Sequence, residues 1–195
     1  MPDAWENRAE KGDAVEVLVT RWLRRRGYTI LPTGKLGVLS GDDDKTPVVL
    51  TPTDGSFVRL GVDAPDFPAP DAVGFLDGTF CLIEIKGKGL SRWLDEPEWC
   101  FSVSARGHFG YHVAAASAAG KMQGSVPVYL FVLARPHDPN KPYMGDPPTG
   151  LFVALLSYLR PHHTSPRDSE TAEEVWFDIA NFKRVAEYAD VLRGR

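Results

Sequence analysis

Two cysteines, Cys81 and Cys100, are too few and too isolated for a disulfide framework or a thiolate metal site. A reducing, cytoplasmic setting is the expectation that goes with such a pair. Long apolar runs are missing as well. The longest, near Val128–Ala134 and Leu151–Leu156, fall far short of the roughly 20 residues that cross a bilayer, so no membrane partner is expected. The opening stretch Met1-Pro2-Asp3-Ala4-Trp5-Glu6 is acidic and has no apolar segment of the kind a secretory signal needs. Positive charge is not in excess either: the net charge of −4 excludes a histone-like, charge-driven coat for nucleic acid, though not a local basic groove. What is present is 43% hydrophobic and 11% aromatic residues in a chain of 195, enough for one domain with a sizeable core.

Hydrophobic periodicity places the elements. Residues 4–26 predict an amphipathic helix, with Val15, Val19, Trp22 and Leu23 on one stripe, Leu18 at its flank and Gly27 as a stop signal. Tyr28–Leu31 predicts a short strand. Residues 34–70 read as an insertion on the main fold, with an acidic run Asp42-Asp43-Asp44, a hairpin of Val48–Thr51 with Phe57–Leu60, and a proline-rich linker to Pro70. Ala72–Leu76 and Thr79–Lys86 are strand-like and are separated by Asp77-Gly78, the strongest short hairpin signal. The second run is apolar on both faces up to Glu84, which predicts a central, buried strand. A loop-rich connection over 87–106 leads to an alanine-rich helix, Tyr111–Met122. Strands are then expected at Val126–Ala134, Leu151–Leu159 and Val175–Ile179. The stretch 161–169 reads as a polar loop, and a helix over 181–193 is expected to end the chain. The fold class that follows is α/β: a mixed central sheet flanked by helices, in a single domain over 1–195 with its core at about 4–134 and C-terminal additions from about 135.

The hairpin makes a geometric prediction. If Asp77-Gly78 is a two-residue turn, Leu76 pairs with Thr79, and counting outward sets Asp71 opposite Glu84. Opposed residues share a face, with Cβ atoms about 4.5–5.5 Å apart. Two carboxylates would therefore point the same way from neighbouring strands. That is destabilising unless something compensates, and a divalent cation with oxygen ligands does so directly. Lys86 follows Glu84 by two residues and projects from the same face. A bulged turn would shift this register by one.

Pro70-Asp71, followed after a strand, turn and strand by Glu84-Ile85-Lys86, resembles the PD-(D/E)xK nuclease superfamily of restriction-endonuclease-like fold. The resemblance spans roughly Lys11–Ala134 and implies an αβββαβ core. An acid-x-Lys triplet alone is weak, since chance supplies about one in a chain of this composition. Asp43-Asp44-Lys45 is such a triplet, but in a polar run without a strand pattern. The context of Glu84-Ile85-Lys86, at the end of an apolar strand and across a hairpin from Pro-Asp, carries the weight. Asp66 competes as the first acid but falls outside the hairpin register. The first helix adds a second match. Lys11-Gly12-Asp13-Ala14-Val15-Glu16 is similar to the opening helix of archaeal Holliday-junction resolvases, whose glutamate faces the active site. At 100° per residue Glu16 lies about 20° from Leu23 and about 60° from Val19, flanking the apolar stripe.

The resemblance implies a metal-dependent DNA nuclease. Asp71, Glu84 and the backbone carbonyl of Ile85 would hold Mg²⁺, with Mn²⁺ as a substitute, and Glu16 would support that ion or a second one. Lys86 would orient or deprotonate the attacking water, or stabilise charge on the phosphate. Lys88, Arg92 and Lys121 are the basic candidates for DNA contact. Trp93 and Trp99 read as a satellite hydrophobic cluster, and His162-His163 as solvated loop histidines. The helix of the alanine-rich segment is bracketed by Tyr111, His112, Lys121 and Gln123. The sequence does not choose which of them serves the site. A homodimer is compatible with this reading. Two alternatives stand beside it: a nuclease-like fold used as a binding or assembly module, and an RNA-directed nuclease of the same fold.

Overall fold

A computed structural model describes residues 6–32, 48–50, 57–59, 70–92, 98–122, 124–136, 146–166 and 173–194. Helix α1, Glu6–Arg25, presents Val15, Val19, Trp22 and Leu23 as its buried stripe. It stops at Gly27, which adopts φ 85°. The Gly27 amide donates to the Arg24 carbonyl and the Tyr28 amide to that of Leu23, the two bonds of a glycine-terminated helix end. Strands β1 (Thr29–Pro32), β4 (Ala72–Leu76) and β5 (Thr79–Lys88) then form an antiparallel meander. Between them, β2 (Val48–Leu50) and β3 (Phe57–Arg59) pair as the expected hairpin in a sheet of their own. The remainder of the 34–70 insertion, Asp66 included, lies outside the described residues. After β5 come β6 (Cys100–Ser104), helix α2 (Ala105–Met122) and β7 (Val128–Ala134), which runs parallel to β5.

With the β2–β3 hairpin and β6 set aside, α1, β1, β4, β5, α2 and β7 follow the αβββαβ order expected from the sequence. Strands β8 (Gly150–Leu155) and β11 (Lys183–Ala186) extend the sheet to six strands, β1-β4-β5-β7-β8-β11. The mixed α/β class expected from the sequence is the class observed. Strand β5 lies inside this sheet, and its side chains alternate between two cores. Cys81, Ile83 and Ile85 pack with α1 and with α3 (Tyr188–Arg193) on one face. Phe80 and Leu82 pack on the other, with α2 and a second sheet of β6, β10 (Glu173–Asp178) and β9 (His163–Pro166). No helix among the described residues is long and apolar enough to cross a membrane.

Three expectations are corrected. The connection 87–106 is not mainly loop: β5 reaches Lys88, Cys100–Ser104 is a strand, and α2 begins at Ala105, six residues before the expected start. The signal for β6 was there in period two, with Phe101 and Val103 buried while Ser102 and Ser104 are less so. The segment 181–193 is helical only from Tyr188. Phe182 enters the α2-side core and Val185 packs against the other, so the spaced apolar residues are not one helical stripe. Instead Lys183–Ala186 takes the free edge of β8, where Gly150 lets the Ala186 carbonyl approach closely. Finally, His163–Pro166 pairs with β10 within the stretch expected to be a polar loop.

Candidate functional site

The turn sets the register, and the register sets the site. Asp77 and Gly78 both take positive φ, 50° and 78°, as a two-residue turn matched to strand twist requires. Leu76 pairs with Thr79 and Ala72 with Ile83. Asp71 is thereby brought opposite Glu84, where the regular ladder stops and side chains take over its hydrogen bonds. Asp71 Oδ2 accepts the Ile85 amide at 2.7 Å, and Glu84 Oε2 accepts the Asp71 amide at 3.3 Å. Pro70, which precedes Asp71, has no N–H with which to continue the ladder.

Lys86 and Tyr111 complete the cluster. The Lys86 ammonium contacts Glu84 Oε1 and lies 3.6 Å from Asp71 Oδ2. The Tyr111 hydroxyl donates to Glu84 Oε1 at 2.5 Å. Side-chain exposure grades from 2% at Glu84 to 17% at Asp71 and 29% at Lys86, so Glu84 is the floor of the site and the other two form its mouth. The α2 end is built to place that hydroxyl. Ser104 caps the helix by accepting the Gly107 amide at 3.1 Å. A Cβ at position 107 would lie 2.9 Å from Ser104 Oγ and 3.1 Å from Tyr111 Oη, so glycine makes the room.

Burial dominates the electrostatics. It raises the proton affinity of Glu84, whose pKa is pushed up to about 7; Lys86 opposes this and Asp71 adds to it. Asp71 is also raised, again by burial, against the pull of Lys86 and of the Ile85 amide. For Lys86, burial works downward, but the Glu84 and Asp71 carboxylates outweigh it and hold the ammonium above the usual lysine range. Burial and the Glu84 charge raise Tyr111, so its hydroxyl remains a donor. Fully ionised, the cluster holds two negative charges against one positive. Two carboxylates with surplus negative charge make a donor set that suits a hard divalent cation.

Not every sequence candidate joins. Helix α1 covers the sheet face opposite to that of Asp71, Glu84 and Lys86. Glu16 is half-buried at the flank of its stripe, on that other side. Among the described residues, no group of three or more Asp, Glu, His or Cys side chains is arranged to hold one metal ion, so Glu16 is not gathered with the acid pair. Lys88 shares the face of Glu84 and Lys86, two positions further along β5. Arg92 is exposed beyond the strand. Lys121 is in the last turn of α2, and its side chain, like Trp93, Gln123 and Asp43-Asp44-Lys45, lies outside the described residues. Trp99 packs against the core. His162 Nδ1 lies 3.6 Å from Asp178 Oδ2, and the side chain of His163 lies outside the described residues. Tyr111 was not chosen by sequence reasoning, yet a signal existed. It shares a helical stripe with the small residues Gly107, Ala114 and Ala118, and a tyrosine on a buried stripe needs a partner for its hydroxyl.

No protein-family model matches the chain, and no curated protein does. Among solved structures, the chain is similar to Hjc, a Holliday junction resolvase from the archaeal hyperthermophile Archaeoglobus fulgidus, at 14% identity and a TM-score of 0.41 over 92% of this chain and 98% of that one. It is also similar to D212, a nuclease from a fusselovirus, at 13% identity and a TM-score of 0.37 over 100% of this chain and 95% of the other.

Proposed function

We propose that the chain is a metal-dependent nuclease that hydrolyses phosphodiester bonds of DNA. The observation that carries this reading is the convergence of Asp71, Glu84 and Lys86 at the point where the β4–β5 ladder ends, with Glu84 buried and the other two partly exposed. Asp71, Glu84 and the Ile85 carbonyl would hold Mg²⁺, or Mn²⁺ in its place. Such an ion supplies a Lewis acid for the phosphate oxygen and a more acidic water.

The chain's own groups have separable tasks. Tyr111 holds one oxygen of Glu84, and the Asp71 amide holds the other, so this carboxylate cannot rotate freely. The Ile85 amide fixes Asp71 in the same way. Lys86, kept protonated by its two neighbours, is a hydrogen-bond donor and a positive charge at the mouth. It orients a water or steadies charge on the phosphate. Lys88 extends positive charge along the same face toward the nucleic-acid backbone. Arg92 and Lys121 are further candidates for phosphate contact, and Glu16 would act only from outside the acid pair.

The test is a cleavage panel. Purified protein is incubated with single-stranded, duplex and branched DNA and with RNA, in Mg²⁺, Mn²⁺, Ca²⁺ or EDTA. Cleavage of DNA in Mg²⁺ or Mn²⁺ that disappears in EDTA and in Asp71→Asn supports the reading. Cleavage confined to RNA changes the substrate, and no cleavage of any substrate removes the enzyme.

A further inference from the structure

The first turns of α2 carry a feature that the acid cluster does not use. His108 and His112 stand four residues apart, a spacing that puts two side chains on one helix face. Their Nε2 atoms are 3.4 Å apart. The rings meet edge to face, with centroids 4.8 Å apart at 83°. Two imidazole nitrogens on one tetrahedral ion, each about 2.0–2.1 Å from it, are themselves about 3.4 Å apart. The pair therefore already stands at the separation that ligation requires. His108 is also held from the second sheet, its ring 5.4 Å from that of Phe177 in β10, while His112 is exposed. One ligand is fixed, and the other faces the solvent from which an ion arrives.

We propose that His108 and His112 form a two-histidine site for a borderline divalent ion, Zn²⁺, Ni²⁺ or Cu²⁺, separate from the carboxylate cluster. Ligand chemistry keeps the sites apart: imidazole suits these ions, whereas Mg²⁺ takes oxygen. In the metal-free pair one Nε2 carries the hydrogen and the other accepts it. Ligation needs both lone pairs, so the donating ring moves its proton to Nδ1, with no net proton released. Burial, and His112 beside it, hold His108 below the usual histidine range, which favours the neutral ring that ligation needs. Among the described residues no third Asp, Glu, His or Cys joins the pair, so water completes the coordination. The ion would brace the turn of α2 that carries Tyr111. This inference does not rest on the nuclease reading.

The test uses the full chain and ZnCl₂ alone as the probe, near neutral pH with saturating Mg²⁺, read by titration calorimetry and by thermal melting. One Zn²⁺ per chain is expected, with a rise in melting temperature by mass action. His112→Gln and His108→Gln should each weaken binding about tenfold or more, because each removes one of two protein ligands. Asp71→Asn should leave it unchanged. Since His112 is exposed, its variant separates loss of a ligand from loss of fold, and circular dichroism confirms that it folds. Equal Zn²⁺ affinity in wild type and His112→Gln overturns the site. So does loss of Zn²⁺ binding in Asp71→Asn or its displacement by Mg²⁺, either of which would put the ion on the carboxylates.

Discussion

The Tyr111 hydroxyl donates to the Glu84 carboxylate at 2.5 Å and so ties α2 to a strand inside the sheet. The bond spans the layer between helix and sheet, and both partners are buried. Tyr111→Phe keeps the ring and its packing while removing the donor. The buried oxygen then retains Lys86 but loses its second partner, and the fold should weaken by about 1–3 kcal/mol. Denaturant unfolding without divalent ions measures this. Because Glu84 is less firmly oriented, divalent-ion affinity should fall as well, in a variant whose far-ultraviolet circular dichroism is unchanged.

Asp71 has two roles that different substitutions separate. It is one of two opposed acids, so removing its charge relieves repulsion with Glu84. It is also the acceptor for the Ile85 amide. Asp71→Asn removes the charge and keeps an acceptor, so the metal-free protein should melt at a higher temperature than wild type. Asp71→Ala removes both, and the unpaired Ile85 amide costs about 1–3 kcal/mol, which offsets the relief. Both variants should lose Mg²⁺ binding at the carboxylates and cleavage. An Asp71→Ala protein that gains as much heat stability as Asp71→Asn would show that the amide bond contributes nothing.

Without divalent ions, stability should depend on pH through the acid pair. Glu84 is raised from its ordinary 4.5 to about 7, and Asp71 is raised from 3.8. The folded protein thus binds these protons more tightly than the unfolded chain. Their stabilising contribution is complete below the unfolded values and is lost as pH rises through the folded ones. For Glu84 the window runs from about pH 4.5 to about 7, and the loss is on the order of 3 kcal/mol. Melting temperature in EDTA should fall across that window. Glu84→Gln should flatten the fall, and Mg²⁺ should offset it at the upper end. A melting temperature in EDTA that climbs over the same range contradicts the assignment.

How far the site was legible follows from which residues depend on local geometry alone. Asp77-Gly78 dictates a two-residue turn, the turn dictates register, and register with strand parity places Asp71, Glu84 and Lys86 together without knowledge of the rest of the fold. Gly27 likewise ends α1 by local chemistry. Glu16 shows where this reasoning stops. Helical phase gives its position on α1, but not which face of the sheet α1 covers, and α1 covers the face away from the acids. Tyr111 is the converse case, since its partner is fixed by how α2 settles on β5. Lys183–Ala186 fails for a third reason: its strand state comes from the open edge of β8, a partner that local propensity does not contain.

Lys86 offers a test of chemistry against structure. Its ammonium neutralises part of the charge that a divalent ion would also neutralise, so the two compete for the carboxylates. Lys86→Ala should therefore bind Ca²⁺ at least as tightly as wild type. If the ammonium serves the reacting water or phosphate, cleavage should fall by about 10²–10⁴-fold even at saturating Mg²⁺. Ion binding by calorimetry and cleavage rate on the same preparation make the comparison. A structural ion pair alone would give the opposite pattern, with a less stable fold and cleavage little changed.

The remaining question is whether the cluster works on DNA or is a scaffold for assembly. A chain with net charge −4 cannot rely on overall attraction to a polyanion, so its grip on DNA must be local. The acids of the cluster repel phosphate when no cation is present, and a bound divalent ion reverses that repulsion within a few ångströms. Ca²⁺ takes oxygen ligands in a looser geometry than Mg²⁺ and serves as a binding probe. DNA affinity should therefore be higher in Ca²⁺ than in EDTA, and the difference should vanish in Asp71→Asn. Affinity should also fall as salt rises. The slope of log affinity against log salt reports the phosphates neutralised, at about 0.9 per contact on duplex DNA, and should correspond to only a few. Fluorescence anisotropy with labelled duplex and branched DNA, in Ca²⁺ and in EDTA at several salt concentrations, measures both quantities. An assembly module would be indifferent to the cation. Equal affinity in Ca²⁺ and EDTA, together with no cleavage in Mg²⁺ or Mn²⁺ on any substrate, would therefore assign the acid pair and its lysine to structure rather than catalysis.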